Sequence, residues 1–241
     1  MTLPMLNINK IKAITLDLDD TLWPVWPAIE RAELALSNWM SRHAPITAAL
    51  FGDASVRGDI RRHVLLTRPE LKHNMSALRR EAIRVALCRA NENPLLVEQA
   101  FEVFFEARNQ VQLYNDALLA LEFLSARYPL VALSNGNADI KRIGIGHYFK
   151  ASINAQEFGA GKPDPRIFVA AAGLVNASAA DVLHIGDDAE LDVTGALNAG
   201  MQAAWLNREN NPWTSEQSPH ITVRNLTELC DCLRAEQEVA A

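Results

Sequence analysis

The chain has 241 residues, of which 49% are hydrophobic and 22% are charged, with a formal net charge of −6. This ordinary globular composition excludes a collagen-like or low-complexity chain, and the acidic balance offers no global basic surface for nucleic acid. Three cysteines are too few for a disulfide-stapled secreted domain, and Met1–Pro4 begin no secretory leader pattern. No apolar run approaches the ~20 residues that span a bilayer, so we expect a cytoplasmic protein without nucleic-acid or membrane partners.

The first elements in chain order are one strand and then a long helical block. The apolar, β-branched run Ile11–Leu18 predicts a buried strand that ends in acidic residues. From Pro27 onward, apolar residues recur at helical spacing for about 85 residues without a strand pattern. Such a block is far longer than an ordinary crossover between strands. We therefore predict a helical domain at residues 23–110, inserted into a second domain made of 1–22 and 111–241.

After the helical block, short strand patterns alternate with helical ones. Leu130–Asn135, Val182–Gly186 and Gln202–Leu206 are buried-strand patterns, Ala151–Ile153 is a weaker one, and Ala189–Asn198 is helical. Strands that alternate with helices favour a parallel sheet covered on both faces. The predicted fold class is α/β, a doubly wound parallel sheet with an inserted α-helical domain.

Polar residues gather where these predicted strands end, which is where open parallel sheets bind ligands. Several close carboxylates cannot all ionise without a counter-charge, and Mg²⁺ suits one or two carboxylates together with phosphate and water. A phosphoryl group held between metal, lysine and hydroxyl is the natural ligand. The candidates lie at strand ends or in the following loops: Asp17, Asp19, Asp20 and Thr21; Ser134 and Asn135; Lys162; Asp187 and Asp188. Because Asp17 and Asp19 are two apart, one can act as a nucleophile while the other transfers protons.

Four motifs in chain order resemble those of the haloacid dehalogenase superfamily. They are Asp17-Leu18-Asp19-Asp20-Thr21, then Ser134, then Lys162-Pro163, then Gly186-Asp187-Asp188 with Asp192. Each stands at a predicted strand end or in an adjacent loop, and together they cover most of the chain. The helical insertion after the first motif resembles the C1-type cap of subfamily IA. The resemblance implies a Rossmann-like core and a Mg²⁺-dependent phosphatase that acts on a small phosphorylated metabolite.

The resemblance also implies a role for each motif residue. Asp17 attacks phosphorus and forms an aspartyl-phosphate. Asp19 protonates the leaving alcohol and then activates water, and Lys162 neutralises the charge of Asp17 and the phosphoryl group. The other implied roles are substrate binding by Ser134, Asn135 and Thr21, Mg²⁺ ligation by Asp17, Asp187 and the backbone carbonyl of Asp19, and support of the metal by Asp188 and Asp192.

Asp19 separates the possible reactions of this family. An alkoxide leaving group needs a general acid and a halide does not, and the family's dehalogenases carry a non-acidic residue at this position. The segments Ser134–Ala138 and His184–Trp205 resemble a bacterial branch that dephosphorylates flavin mononucleotide and a phosphoribitylamino-uracil. A phosphomutase keeps both aspartates and stays open as an alternative. A phospho-Asp receiver domain is half as long, and a binding protein with a decayed site would have lost catalytic residues.

Two interpretations concern residues outside the catalytic roles. His184 lies within a predicted buried strand, which is typical of a core histidine with satisfied hydrogen bonds. Trp23 and Trp26 follow the first motif closely, and they either pack at the domain junction or stack on a planar ring of the substrate.

Overall fold

The computed structural model describes residues 5–239, so Met1–Pro4 and the last two residues lie outside the described residues. The chain divides into two compact units. The core unit comprises Met1–Pro24, Gln112–Gly136 and Gly144–Ala241, and the helical unit comprises Val25–Val111 and Asn137–Ile143. The sequence prediction did not assign 137–143 to the helical domain. No helix within residues 5–239 is long and apolar enough to cross a membrane.

A parallel sheet forms the centre of the core unit, as the sequence predicted, and it has six strands. Its strands are Ala13–Leu16 (β1), Leu130–Ser134 (β2), Ala151–Asn154 (β3), Val182–Gly186 (β4), Gln202–Leu206 (β5) and Ile221–Val223 (β6). Their spatial order is β3-β2-β1-β4-β5-β6, which confirms the doubly wound α/β fold class. Every residue of β1, β2, β4 and β5 is buried, which explains why these strands are near-continuous apolar runs.

The α-helices are described in chain order. They are Val25–His43 (α1), Pro45–Gly52 (α2), Ala54–Thr67 (α3), Met75–Arg89 (α4), Val97–Arg108 (α5), Ala117–Ser125 (α6), Ile140–Ile143 (α7), Ala155–Phe158 (α8), Pro165–Gly173 (α9), Gly195–Asn198 (α10) and Leu226–Val239 (α11). Helix α9 begins at Pro165, because the Asp164 side chain accepts a hydrogen bond from the Arg166 N–H and proline suits the first helical position.

The helical unit has an apolar core of its own. Ala32, Leu36 and Met40 recur at helical spacing along α1 and are buried together with Phe101 and Phe104 of α5. The unit therefore buries its own apolar faces, as an inserted domain must.

The segment after β4 differs from the regular helix that the sequence predicted over Ala189–Asn198. Ala189–Thr194 is π-helical, and the Val193 N–H bonds to the Asp188 carbonyl five residues earlier. Only α10 continues it as an α-helix. Gly195 packs so closely on Phe168 that a β-carbon there would lie 2.7 Å from its ring. The sequence pattern also missed β6 and α11.

The order of the strands determines where a ligand site can form. The chain builds β1, β2 and β3 outward in one direction and β4, β5 and β6 in the other. The reversal lies between β1 and β4, which pair in register from Ala13 with Val182 to Leu16 with Ile185. Ligands bind outside the carboxyl ends of strands at such a switch point. Asp17 and Asp187 are the residues that follow these two strands.

Candidate active site

Three carboxylates and one ammonium group meet at the ends of β1 and β4. Asp17, Asp187 and Asp192 each place one carboxylate oxygen within 4.8 Å of the others. The Lys162 Nζ donates to the Asp17 carboxylate and, at 2.5 Å, to Oδ1 of Asp192. Asp17 is 7% exposed, Lys162 5% and Asp192 1%. The predicted nucleophile and the predicted lysine are therefore in direct contact within the core unit.

The cluster carries more negative charge than one ammonium group can neutralise. Burial, with Asp192 and Asp187 nearby, raises the pKa of Asp17 well above its ordinary value, and burial raises the pKa of Asp187 to about 7. Burial also disfavours ionised Asp192, but Lys162 and His184 outweigh it and lower the pKa of Asp192. Burial opposes the charge on Lys162 as well, yet Asp17 and Asp192 raise its pKa. Of the three carboxylates, Asp192 is therefore the one that favours its ionised form, and it forms an ion pair with Lys162.

The oxygen atoms of this cluster suit a hard divalent cation. Both Asp192 oxygens already accept hydrogen bonds, Oδ1 from Lys162 and His184 and Oδ2 from the Asp188 N–H at 3.0 Å. Asp192 is therefore less suited to bind a metal than Asp17 and Asp187. Asp187 is held by the Thr21 hydroxyl, which donates to its Oδ1 at 2.9 Å. Burial and the neighbouring carboxylates oppose the ionisation of Asp17 and of Asp187. These are the two residues whose negative charge a divalent cation would neutralise.

A tight turn after β1 fixes the position of Asp19. Asp20 has a left-handed φ of 58°, and its N–H donates to the Trp23 carbonyl at 2.7 Å. The indole Nε1 of Trp23 donates to Oδ1 of Asp19 at 2.8 Å. Trp23 is fully buried, so it serves as a fixed donor and not as a surface on which a ligand ring stacks. Trp26 is 70% exposed.

The turn is anchored from a second side by Arg208, which follows β5. Arg208 forms an ion pair with Asp116 at 3.0 Å, and its other terminal nitrogen donates to the Thr21 carbonyl at 3.0 Å. The Thr21 hydroxyl donates to Asp187, whereas the sequence interpretation assigned it to the substrate beside Asp17. Thr21 consequently links the turn after β1 to the end of β4.

Ser134, the last residue of β2, and Asn135, which follows it, make different hydrogen bonds. Ser134 Oγ accepts the Gly136 N–H at 2.9 Å, which leaves its hydroxyl hydrogen available to donate. Asn135 Nδ2 donates to the Lys162 carbonyl at 2.8 Å, and Asn135 Oδ1 accepts the Lys162 N–H at 2.7 Å. The sequence analysis gave Asn135 a substrate contact, but both ends of its amide hold the Lys162 backbone.

The remaining predicted residue, Asp188, is a helix cap in this structure. Its Oδ1 accepts the backbone N–H groups of Glu190 at 2.8 Å and Leu191 at 2.7 Å. The cap begins the π-helical segment that carries Asp192, so Asp188 supports the site through the backbone. The prediction that His184 is a buried, hydrogen-bonded histidine is confirmed, since it is fully buried and bonds Thr15 and Asp192.

Sequence reasoning missed the hydrogen bonds that hold the residues of the candidate site in place. These bonds come from Trp23, Thr15, Arg208 and His184. A signal existed for two of them, because Thr15 and His184 are polar residues inside otherwise apolar strand patterns. The bonds of Trp23 and Arg208 depend on a tight turn whose path the sequence pattern does not specify.

Comparisons with known proteins identify the family of this chain. A family model described as haloacid dehalogenase-like hydrolase matches residues 11–200. The 5-amino-6-(5-phospho-D-ribitylamino)uracil phosphatase of Escherichia coli (strain K12) is 31% identical over 230 residues, 92% of this chain and 96% of the relative. Phosphoserine phosphatase of Thermus thermophilus is 30% identical over 244 residues, 91% and 98% of the two chains. The crystal structure of a 2-haloacid dehalogenase from Pseudomonas syringae pv. tomato DC3000 has a TM-score of 0.88 and 36% identity, and the alignment covers 94% and 99% of the two chains.

The charge imbalance predicts opposite effects for two isosteric substitutions in metal-free buffer at about pH 8. Asp187→Asn should raise the free energy of unfolding by about 1 kcal/mol or more, because the folded state opposes ionisation of this carboxyl. The gain should shrink as the pH falls from about 7 toward 4, because over this range the folded wild type binds a proton that the unfolded chain does not, which stabilises the fold. Asp192→Asn should lower the free energy of unfolding by about 3 kcal/mol, because it breaks a buried ion pair. Denaturant titrations measure both effects, and changes of the same sign would contradict the charge assignment.

Proposed function

Because the chain belongs to the haloacid dehalogenase-like hydrolases, we propose that it is a Mg²⁺-dependent phosphatase that hydrolyses a small phosphorylated metabolite through an aspartyl-phosphate. Relatives that are named phosphatases match nearly the full chain. The observation that carries the proposal is the buried contact between the Lys162 ammonium group and the Asp17 carboxylate. It places a counter-charge beside a nucleophile that must approach an anionic phosphate.

Asp19 favours a phosphatase over a dehalogenase, although a dehalogenase structure is among the similar chains. A halide leaves without a proton, whereas the alkoxide released from a phosphate ester needs one. A carboxyl group two residues after the nucleophile is suited to deliver it, and Trp23 holds one of its oxygens at 2.8 Å. The fixed position of this carboxyl supports a role in proton transfer.

The proposed reaction has two steps. In the first, a carboxylate oxygen of Asp17 attacks phosphorus, the bond from phosphorus to the ester oxygen breaks, and Asp19 gives its proton to that oxygen. In the second, Asp19 takes a proton from water, the water oxygen attacks phosphorus, and the bond to Asp17 breaks. Lys162 offsets negative charge on Asp17 and on the phosphoryl oxygens in both steps.

The other residues bind and orient. Asp17, Asp187 and the backbone carbonyl of Asp19 would hold Mg²⁺, which neutralises negative charge when it is bound. The Ser134 hydroxyl donates to a phosphoryl oxygen, because its oxygen already accepts the Gly136 N–H. Asn135 keeps the Lys162 backbone in place.

For the substrate we place ribityl phosphates first, either flavin mononucleotide or a riboflavin-pathway intermediate. The support is the Escherichia coli relative, which is named for a phosphoribitylamino-uracil and is matched over 96% of its length. The Thermus relative with a different named substrate is almost equally similar, so substrate choice needs a direct test. The role of the helical unit as a C1-type cap, the cytoplasmic location and the absence of nucleic-acid and membrane partners stay predictions from the sequence.

Asp17→Asn should abolish hydrolysis of p-nitrophenyl phosphate in the presence of Mg²⁺. We expect kcat to fall by about a thousandfold or more, because an amide cannot act as the nucleophile. The matched control is Asp181→Asn, whose carboxylate binds only surface Lys12 among the ion pairs of the described residues, and it should keep wild-type activity. Chelation of Mg²⁺ should stop the wild-type reaction, and re-addition should restore it. Full activity of Asp17→Asn, or wild-type activity in chelator, would refute the proposal.

Trp23→Phe removes the N–H group that holds Asp19 and keeps an aromatic ring. If Asp19 is the general acid, kcat/KM for phenyl phosphate should fall about tenfold, whereas kcat/KM for p-nitrophenyl phosphate should change less than about twofold. Asp19→Asn should show the same selectivity more strongly. Equal losses on both esters would mean that the substitution disturbs the fold and not proton transfer.

A substrate panel tests the narrower assignment. We expect kcat/KM for flavin mononucleotide and for 5-amino-6-(5-phospho-D-ribitylamino)uracil to exceed that for phosphoserine by about tenfold or more, because contacts beyond the phosphate lower the barrier. Initial rates of phosphate release at low substrate concentration provide the values. A preference for phosphoserine would overturn the assignment and leave the phosphatase proposal intact.

A further inference from the structure

A polar pair lies inside the otherwise apolar centre of the sheet. Thr15 of β1 and His184 of β4 stand directly opposite each other in the strand register, and both are fully buried. Thr15 Oγ1 lies 2.8 Å from Nδ1 of His184. The Phe168 ring meets the imidazole edge-on, with 5.0 Å between the ring centroids. Burying a hydroxyl and an imidazole is costly unless each is hydrogen-bonded, so an apolar pair would be the simpler way to fill this space.

The other ring nitrogen of His184 faces the active site. Nε2 lies 3.1 Å from Oδ1 of Asp192, and the same oxygen accepts the Lys162 ammonium group at 2.5 Å. Because Asp192 forms a buried ion pair with Lys162, its carboxyl group is ionised and has no proton to give, so Nε2 must be the donor. Burial lowers the pKa of His184, which keeps the ring neutral with a single N–H. Nδ1 is therefore the acceptor and the Thr15 hydroxyl donates to it.

The hydrogen bonds consequently run in one direction, from Thr15 to His184 and from His184 to Asp192. Asp192 is held at its second oxygen by the Asp188 N–H at 3.0 Å. Its carboxylate lies so close to Gly186 that it occupies the space of a β-carbon at that position. The carboxylate thus has little room to move while its donors remain.

The position of Asp192 matters because Lys162 touches two carboxylates. The ammonium group donates to Asp192 and to Asp17, while Asn135 holds the Lys162 backbone. If Asp192 lost its donor and rotated, the Lys162 head group would follow its stronger partner away from Asp17. Partners that orient a catalytic group in this manner typically change activity by about 10–100-fold when they are removed.

We propose that Thr15 and His184 are positioning residues of the active site: their hydrogen-bonded pair holds the Asp192 carboxylate where it keeps the Lys162 ammonium group against Asp17. This role rests on the proposed function, in which Asp17 is the nucleophile. It adds residues from the interior of two strands to a site whose other members lie at strand ends, in loops and in the π-helical segment after β4.

The kinetic test uses three variants and p-nitrophenyl phosphate with Mg²⁺. His184→Leu removes the donor to Asp192 and should lower kcat/KM about tenfold or more, whereas His184→Gln supplies an amide N–H and should stay within about threefold of wild type. Thr15→Val has the same shape without the hydroxyl and should lose about threefold. His220→Leu and His220→Gln are the matched controls, since the His220 ring accepts a backbone N–H from Ala203 and both should keep wild-type rates.

A second measurement reports positioning without relying on activity. Nitrogen NMR of histidine-labelled enzyme should show His184 with its proton on Nε2 at about pH 7, and Thr15→Val should shift the Nδ1 signal. A proton on Nδ1 would overturn the proposed direction of the hydrogen bonds, from Thr15 to His184 and from His184 to Asp192. Thermal melting of each variant identifies a role that is limited to stability. In that case His184→Leu and His184→Gln would lose activity in proportion to their loss of melting temperature.

Failure of the proposed function and failure of the positioning role give different results. If the wild type hydrolyses no phosphate ester, the proposed function fails, while the NMR result still tests the hydrogen-bond chain. If the wild type is active and both His184→Leu and Thr15→Val retain its rate, the positioning role alone fails. If His184→Leu does not fold, the isosteric Thr15→Val and the donor-retaining His184→Gln decide the question by their rates and their NMR signals.

Discussion

The ammonium group of Lys162 lies buried between Asp17 and Asp192, and much of the core unit serves to keep it there. Burying an ammonium ion costs several kcal/mol unless carboxylates and hydrogen bonds compensate for the lost water. Asp192 supplies the lasting partner, His184 and the Asp188 N–H hold Asp192, and Asn135 holds the lysine backbone. Asp17 shares the lysine with Asp192, and Asp187 lies nearby, so the site holds more carboxylates than its one ammonium group can neutralise.

The sequence predicted the fold, and which polar side chains meet at the candidate site, for physical reasons that act locally. A strand buried on both faces must be apolar, so β1, β2, β4 and β5 were visible as short apolar runs, and a polar residue at the end of such a run indicates a strand terminus. Parallel strands then bring residues as distant in the chain as Asp17 and Asp187 to one edge. β6, with three residues, is too short to show a period.

The hydrogen-bond partners of these side chains could not be predicted, because they depend on the course of the backbone in three dimensions. Asn135 has the right chemistry to bind a phosphoryl group, yet its amide meets the Lys162 backbone across the β2 end. Thr21 follows the nucleophile in sequence and donates to Asp187 instead. Asp188 looks like one more metal-binding acid and caps the π-helical segment. In each case a polar residue at the candidate site holds a neighbouring residue in place.

In the proposed mechanism, Asp17 carries the phosphoryl group and Asp19 is needed to release it. The most direct measurement is mass spectrometry of acid-quenched Asp19→Asn after brief reaction with p-nitrophenyl phosphate and Mg²⁺. We expect the peptide that contains Asp17 to gain one phosphoryl group, because the first step proceeds with a good leaving group while water is no longer activated. A phosphoryl group on another residue, or none in a variant that still releases a burst of p-nitrophenolate, would contradict it.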